Sequence, residues 1–258
     1  MLTGPQISAD TVTAMMTDWA TRNLTNNWTE TRKRIASVAT QWGRLCDSVG
    51  LVAISKGHPA SALRILAGFG QRDFGENYLQ EALPKLKELA DLSLTWHFTG
   101  QLQGNKTRAV AENFDWVHTL DRERIAIRLN EQRPHYAPPL NICVQVSLVP
   151  EPGKGGVPPE QVLTLAQSVA ILPKLRLRGL MCIPPPKDSF EEQRAQFEQL
   201  VACQRRLLDA GLEVDTLSMG MSADLEAAVA AGATWVRIGT ALFGERPTQA
   251  PDQASEST

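Results

Sequence analysis

The chain of 258 residues carries 26 Lys and Arg against 28 Asp and Glu, which gives a formal net charge of −2. Because nucleic-acid binders usually carry a basic excess for their phosphate contacts, this balance argues against a nucleic-acid partner. The composition, with 43% apolar and 21% charged residues, is typical of a globular protein with a buried core.

Residues 1–50 are expected to form a helical extension that packs on the domain after it. No proline occurs from residue 8 to 49, and Leu24, Trp28 and Trp42 recur at helical spacing. The first 29 residues lack both the apolar core of a signal peptide and an apolar run long enough to span a membrane. The four cysteines form no Cys-x-x-Cys pair, so we expect reduced thiols and no metal site. Because neither a signal peptide nor a membrane-spanning run is predicted, we expect a cytoplasmic location and no membrane contact.

The next part of the chain alternates between two kinds of segment. Eight short runs rich in Val, Ile, Leu and Thr predict strands at 51–55, 72–77, 94–100, 116–120, 140–149, 177–183, 216–221 and 235–239. Amphipathic stretches between them predict helices at 60–69, 79–89, 105–113, 122–131, 159–172, 190–210 and 224–231.

Strands that alternate with single helices imply right-handed crossovers and a parallel sheet. Eight such units over residues 51–244 predict a single α/β domain, a (β/α)8 TIM barrel, for which about 250 residues is typical. The alternative, an open doubly wound sheet, would need a glycine-rich turn after its first strand, where this chain has Lys-Gly-His-Pro from residue 56. Residues 245–258 are polar and proline-bearing and are expected to form a disordered tail.

Functional groups of such barrels gather where the strands end, and the first strand ends at a lysine. Alternation places Lys56 on the same face as Val52 and Ile54. An amine desolvated at the rim of an apolar lumen is more readily neutral and can form an imine with an aldehyde. The alternative is an ordinary lysine whose ammonium group reaches solvent.

The ends of the last two strands predict a phosphate site. Gly239 and Thr240 open a short helical turn that offers backbone N–H groups and a hydroxyl, and barrels often bind phosphate after strands seven and eight. Ser218, Gly220 and Ser222 alternate along the neighbouring strand, where a glycine allows a close backbone approach. The alternative is a turn in which Ser222 only caps the helix that follows.

Two further polar residues complete the predicted rim. Arg237 shares a face with Gly239, although a structural ion pair inside the barrel is the alternative for it, and Asn77 ends the second strand. An imine-forming lysine and a phosphate pocket, expected across the lumen from each other, are the two handles needed to hold pyridoxal 5′-phosphate (PLP).

Five blocks of the sequence carry a specific resemblance to a known family: LVAISK from residue 51, FGENYLQEA from 74, WHFTGQLQGNK from 96, LRGLMCIPP from 177 and LSMGMSADLEAAVAAGATWVRIGTALFG from 217. They resemble the pyridoxal phosphate homeostasis proteins, the YggS/PROSC-type relatives of the alanine racemase N-terminal barrel. The resemblance extends from about residue 24 to 244.

The resemblance implies one PLP-binding barrel in which Lys56 forms the Schiff base and Arg237 faces the pyridine nitrogen. It implies that the phosphate is bound by Ser218, Gly220, Gly239 and Thr240, and that Asn77 lies near the ring or its hydroxyl. Gly57 and His58 depart from the residues that usually follow the family's lysine.

Arg237 bears on whether the protein is an enzyme. A charged guanidinium disfavours protonation of the pyridine nitrogen and so weakens carbanion stabilisation. Alanine racemase draws its second base, a tyrosine, from an additional domain that this chain is expected to lack, and Tyr78 and Tyr136 do not match its position. We therefore expect no catalytic residue.

The expected protein is a monomeric carrier that buffers PLP and passes it to apo-enzymes. The alternatives are a PLP-dependent amino-acid racemase that uses Lys56 as a base, and a sugar-phosphate barrel enzyme with an anion site but no imine.

Overall fold

The structure, a computed structural model, describes residues 9–149, 153 and 155–245, with side chains from Thr21 onward. Its eight strands are β1 (Gly50–Ile54), β2 (Asp73–Glu76), β3 (Thr95–Phe98), β4 (Trp116–Leu120), β5 (Leu140–Gln145), β6 (Leu175–Met181), β7 (Thr216–Ser218) and β8 (Trp235–Ile238). Its helices are α1 (Ala9–Gln41), α2 (Ala60–Gly68), α3 (Leu79–Glu88), α4 (Thr107–Asn113), α5 (Glu123–Gln132), α6 (Val162–Ala170), α7 (Phe190–Asp209), α8 (Leu225–Ala231) and α9 (Thr240–Phe243). A 3₁₀ turn at Gly104–Lys106 leads into α4.

The strands form a closed parallel barrel in sequence order, which confirms the predicted fold. The closure is the pairing of β1 with β8, where Val52 lies opposite Arg237. An open doubly wound sheet would leave these two strands as unpaired edges or separate them, so that alternative was wrong.

Several strands end earlier than the sequence pattern predicts. β7 ends at Ser218 rather than at residue 221, because Gly220 adopts a positive φ of 94° that takes the chain out of the sheet. β5 stops at Gln145 instead of residue 149, and β6 starts and finishes two residues early, at Leu175 and Met181. The residues after each strand therefore form the loops around the barrel mouth.

The interior of the barrel is crowded, and one glycine makes room for its neighbours. A Cβ atom added to Gly75 on β2 would lie 2.5 Å from the Ile54 side chain and 2.9 Å from that of Val52. Real Cβ atoms do not approach other atoms so closely, so β1 can place these two apolar residues inside only because β2 carries glycine there.

The N-terminal segment forms one helix, α1, which packs on α2, α8 and α9. Asn27 donates from Nδ2 to the carbonyl of Leu242 at 3.0 Å, and Trp28 donates from Nε1 to Gln71 Oε1 at 3.0 Å. Further along, the guanidinium of Arg34 binds the carboxylate of Glu226. The predicted tail, 245–258, lies outside the described residues apart from its first residue. No helix in the described part of the chain is long and apolar enough to cross a membrane.

Candidate functional site

A cavity of about 310 Å³ opens among the loops that follow the strands. This volume falls at the lower end of the range of small-molecule sites, about 300–1,000 Å³. Five of the predicted site residues line it, namely Lys56, Asn77, Arg237, Gly239 and Thr240. Its remaining lining residues are Ile54, Thr99, Ile183, Met221, Ser222 and Ala223.

The residues around Lys56 form what we call the lysine side of the cavity. Lys56 is half-buried, and both of its chain neighbours are bonded to α3. The carbonyl of Ser55 accepts a hydrogen bond from Lys85 Nζ at 2.8 Å, and the amide of Gly57 donates to Glu81 Oε2 at 2.7 Å. The backbone on either side of the lysine is thus tied to one helix.

A buried ion pair supports this arrangement. Lys85 Nζ donates to Glu76 Oε1 at 2.7 Å, and the Ser55 hydroxyl donates to the same oxygen at 2.6 Å. Glu76 is fully buried, and its Oε2 has no hydrogen-bond partner among the described residues. Burial raises the pKa of Glu76 above its ordinary value, although the bonds from Lys85 and Ser55 act in the opposite direction.

The loop after Lys56 contains Gly57 and His58. Gly57 has a φ of 77°, a conformation that favours glycine, and the His58 ring stacks on the ring of Phe243 at 4.8 Å between centroids. This contact joins the loop after β1 to α9, so these residues connect the lysine to the neighbouring part of the mouth.

The second part of the cavity, which we call the anion side, consists of Ser222, Gly239 and Thr240. A Cβ atom on Gly239 would lie 3.3 Å from the carbonyl oxygen of Ile54, so a larger residue would crowd β1. Thr240 begins α9, and the first N–H groups of a helix have no partner within it. Hydroxyls and backbone donors are the groups that bind phosphate oxygens.

The lysine side and the anion side lie next to each other and not across the lumen as we expected, because β1 pairs with β8. This correction suits PLP, whose aldehyde and phosphate-bearing carbon are attached to neighbouring atoms of the pyridine ring. The donors present therefore fit the group: an amine for the aldehyde stands beside hydroxyls and amides for the phosphate.

Ser218 and Gly220, two residues predicted to contact phosphate, do not line the cavity. Ser218 is fully buried below it, where its Oγ lies 2.8 Å from Arg237 Nη1 and 2.7 Å from His118 Nδ1. At Gly220 an added Cβ would lie 2.5 Å from the Cβ of Ala228, so its packing against α8 requires glycine. The structure thus gives this glycine a packing role.

Ser222, the third residue of that predicted alternation, does line the cavity. The sequence alternative assigned it to capping α8, but Asp224 occupies the cap position and its Oδ1 accepts from the Met221 amide at 2.6 Å. Its place at the cavity does not come from strand alternation with Ser218, because β7 has already ended at that residue. The predicted start of a helix soon after Ser222 was the sequence signal that this hydroxyl lies on a turn and not on a strand.

Arg237 lies at the bottom of the cavity and is 5% exposed. Its guanidinium donates to two neutral acceptors, Ser218 Oγ and the carbonyl of Cys182, the latter at 2.9 Å. Burial lowers the pKa of Arg237, while the charge of Asp224 acts in the opposite direction from beyond ion-pair distance; within the described residues, no carboxylate is bonded to the guanidinium. The alternative of a structural ion pair is therefore wrong for this part of the chain.

Asn77 and Thr99 are hydrogen-bonded to each other on the wall of the cavity. The Thr99 hydroxyl donates to Asn77 Oδ1 at 2.9 Å, which orients the amide so that its nitrogen remains a donor. Thr99 and Ile183 were missed as site residues, although both lie at the ends of predicted strands, where barrel sites are built.

A smaller hollow of about 240 Å³ continues from the cavity and shares Asn77, Thr99 and Ile183 with it. Its other polar side chains are neutral amides and hydroxyls, and no described lining residue is an acid or a base. Neither tyrosine lines the cavity or this hollow: Tyr78, which follows Asn77 in the sequence, is 54% exposed, and Tyr136 is 80% exposed. The described lining residues therefore provide one primary amine and no second proton-transfer group.

The fold and the cavity together define a class of protein, a parallel barrel that presents one amine beside a set of anion-binding donors. By sequence, the chain belongs to the family of the alanine racemase N-terminal domain, whose family model matches residues 22–247.

Several relatives within this family are close. The chain is 55% identical over 228 residues to the pyridoxal phosphate homeostasis protein of Pseudomonas aeruginosa, which covers 88% of this chain and 98% of that protein. It is 49% identical over 232 residues to the protein of the same name from Escherichia coli K12, covering 87% and 97%.

Solved structures agree with the sequence relatives. PipY of Synechococcus elongatus PCC7942, solved with PLP bound, matches with a TM-score of 0.73 and 42% identity over 81% of this chain and 100% of that one. An alanine racemase of Clostridium difficile 630 has a TM-score of 0.69 at 17% identity, which shows a shared fold, and the match covers 58% of that longer chain.

Proposed function

We propose that this chain is a pyridoxal phosphate homeostasis protein that binds PLP covalently and reversibly in the cavity at the barrel mouth. The observation that carries the proposal is the position of Lys56 beside the donors of the anion side in one cavity of suitable size. Relatives with 49–55% identity bear this name, and the related PipY was solved with PLP bound.

When bound, PLP supplies an aldehyde that reacts with amines. In our proposal, Lys56 provides the amine, and its position is fixed by the bonds of Ser55 and Gly57 to α3. Ser222, Gly239 and Thr240 hold the phosphate through hydroxyl and backbone donors. The proposal thus retains Ser222, Gly239 and Thr240 from the sequence interpretation and leaves out Ser218 and Gly220.

Arg237 and Asn77 have roles at the ring. A buried guanidinium that donates to neutral acceptors remains a cation, so it disfavours a proton on the pyridine nitrogen in front of it. Asn77, oriented by Thr99, offers its amide nitrogen to the ring hydroxyl. Both residues favour holding PLP over activating it as an electron sink.

The chain acts as a carrier and not as an amino-acid racemase in this proposal. Racemisation needs a group on each face of the reacting carbon to remove and return a proton. The described cavity offers Lys56 alone for this purpose. We further propose that the protein works in the cytoplasm as a monomer and delivers PLP to apo-enzymes; its three buried thiols are compatible with a reducing compartment.

The test is borohydride reduction of the PLP-loaded protein followed by peptide mass mapping. We expect one adduct per chain, on Lys56, and we expect Lys56→Arg, which keeps the positive charge, to give none. An adduct on another lysine with none on Lys56 would refute the assignment. A protein that takes up PLP without a reducible bond would favour the sugar-phosphate alternative, which needs only the anion side.

Turnover assays separate the carrier from the racemase. We expect no interconversion of L- and D-amino acids by the loaded protein. Sustained racemisation that disappears in Lys56→Ala would show that the carrier assignment is wrong.

A further inference from the structure

A line of hydrogen-bonded polar side chains runs through the inside of the barrel below the cavity. We call its four members the luminal chain: Asp73, His97, His118 and Ser218. His97 Nε2 lies 3.0 Å from Asp73 Oδ1, and His97 Nδ1 lies 2.9 Å from His118 Nε2. His118 Nδ1 lies 2.7 Å from Ser218 Oγ, which accepts from Arg237 at 2.8 Å.

The luminal chain connects the two ends of the barrel. Asp73 is the first residue of β2, on the end opposite the cavity, and its side chain is 26% exposed. His97, His118 and Ser218 are fully buried. Buried polar groups are costly unless they are hydrogen-bonded, and this interior keeps three in a row where apolar residues would suffice for packing.

Indole rings shield the middle of the chain from water. The His97 ring stacks on Trp116 at 5.5 Å between centroids and lies 5.4 Å from the ring of Trp235. Hydrogen bonds in a dry environment of this kind are stronger than in water and polarise one another. The loss of a hydrogen bond at one end of the luminal chain can therefore weaken the bonds at its other end.

The chemistry of Arg237 and of Asp73 fixes the direction of the bonds that these two groups make. The Arg237 guanidinium can only donate, so Ser218 Oγ accepts from it and uses its own proton for His118 Nδ1. At the other end, the Asp73 carboxylate can only accept, so His97 Nε2 carries a proton.

When both histidines are neutral, one arrangement is left to them. His118 Nε2–H donates to His97 Nδ1, and both rings are Nε2–H tautomers. Burial, with the nearby His97 and Arg237, lowers the pKa of His118 well below its ordinary value, which keeps this ring neutral. The reverse order would leave the Ser218 hydroxyl proton without an acceptor among the described residues.

We propose that the luminal chain is a set of positioning residues for the cofactor site, a one-way series of hydrogen bonds that holds the Arg237 guanidinium in place under the ring. The role of Arg237 at the ring rests on the proposed function, whereas the direction of the hydrogen bonds in the luminal chain does not. Through the luminal chain, Asp73 at the far end of the barrel also helps to position the cofactor site.

The first experiment needs no variant and no cofactor. Long-range ¹H–¹⁵N NMR of the imidazole rings in the cofactor-free protein at pH 7 reports the protonated nitrogen of each histidine. We expect His97 and His118 both as neutral Nε2–H tautomers, distinct from the exposed His135. An Nδ1–H tautomer or a cation at His118 would overturn the proposal.

The second experiment measures the effect of the luminal chain on the absorbance and the release of bound PLP. We expect Ser218→Ala and Asp73→Leu to shift the visible absorbance band and to speed PLP release by roughly three- to thirty-fold, the range of coupling through such networks. Asp73→Asn keeps an acceptor for His97 and should behave like the unmodified protein. Thr216→Val, which removes a buried hydroxyl on β7 that bonds Asp215 instead, is the matched control.

The outcomes separate the two proposals. Unchanged bands and release rates in both Ser218→Ala and Asp73→Leu would refute the positioning role while leaving PLP binding intact. A protein that binds no PLP at all would refute the proposed function, and the tautomer measurement would still decide the direction of the chain.

Discussion

The lysine side and the anion side of the cavity are held in place by different forces. The lysine side depends on charge: the Glu76–Lys85 pair is buried, and both neighbours of Lys56 are bonded to α3. The anion side depends on backbone turns and small residues, with Gly239 against β1 and the Met221 amide bonded to Asp224. Breaking a buried charge pair strongly destabilises the folded state, whereas the loss of one neutral hydrogen bond changes its stability little. We therefore expect sharp losses on the lysine side and graded ones on the anion side.

The largest expected effect is that of Lys56→Ala. This change removes the amine, so covalent capture of PLP should be lost completely, while the anion side retains reversible binding of the phosphate group. Borohydride trapping measures the first property and equilibrium dialysis the second. Lys87→Ala, on the exposed face of α3, is the control and should alter neither. If Lys56→Ala retains no PLP in dialysis, the anion side contributes far less than we propose.

The second largest effect concerns stability. Lys85→Met removes one partner of the buried pair and leaves the Glu76 carboxylate without its counter-charge, at a cost of about 3–5 kcal/mol in the free energy of unfolding at pH 7. Urea unfolding measures this loss, and Lys87→Met serves as the exposed control on the same helix. A loss below about 1 kcal/mol would place this pair among the weak surface pairs.

The same variant has a pH dependence with a defined sign. Burial already raises the pKa of Glu76, and removal of Lys85 raises it further, so the folded state binds a proton more tightly than the unfolded state. Stability then falls as the pH rises from the ordinary carboxyl value towards the raised one. The difference between Lys85→Met and the unmodified protein should be smaller at pH 5 than at pH 8. An equal difference at both values would mean that Glu76 does not take up the proton.

The two sides also differ in how far the sequence could predict them. Lys56 lies two residues past the end of β1, but the chain does not reach a positive φ until Gly57, so alternation with Val52 and Ile54 still placed it at the cavity. After β7 the same reasoning was only partly right: the positive φ of Gly220 ends the alternation, and of Ser218, Gly220 and Ser222 only Ser222 lines the cavity. Past the end of a strand, the alternation therefore holds only until a residue with a positive φ turns the chain.

The fold as a whole was predictable because eight strands and their helices repeat one pattern, and closure follows from that number. The luminal chain was not, since each bond joins residues from different strands. Asp73 and His97 are 24 positions apart, and His118 and Ser218 are 100 apart. Which polar residues meet inside a barrel depends on the register between strands, and local sequence does not record it.

A graded effect is expected for the hydroxyls of the anion side. Ser222→Ala and Thr240→Val each remove a donor to a charged phosphate, worth about 1.5–3 kcal/mol, or roughly a ten- to hundred-fold weaker affinity for PLP. The covalent bond to Lys56 should still form at saturating PLP. Ser168→Ala, which removes a half-buried hydroxyl on α6 bonded to the Leu165 carbonyl, is the control. Unchanged PLP release in both variants would mean that backbone donors alone hold the phosphate.

The smallest expected effects lie on α1, where adjacent residues contact the two sides separately. Asn27 bonds the carbonyl of Leu242 in α9, below the anion side, and Trp28 bonds Gln71, which donates to the carbonyl of Leu51 in β1. Asn27→Ala and Trp28→Phe should each cost about 1 kcal/mol in urea unfolding, the usual net value of one hydrogen bond.

These two variants differ in what they do to the cavity. α9 carries Thr240 at its first position, so loosening its end should weaken PLP affinity in Asn27→Ala by about two- to threefold, less than 1 kcal/mol. Trp28→Phe should leave the affinity unchanged, because Lys56 is held by α3 and not by α1. Equal losses of affinity in the two variants would mean that α1 supports the whole mouth, and the division of the cavity into two independently held sides would be wrong.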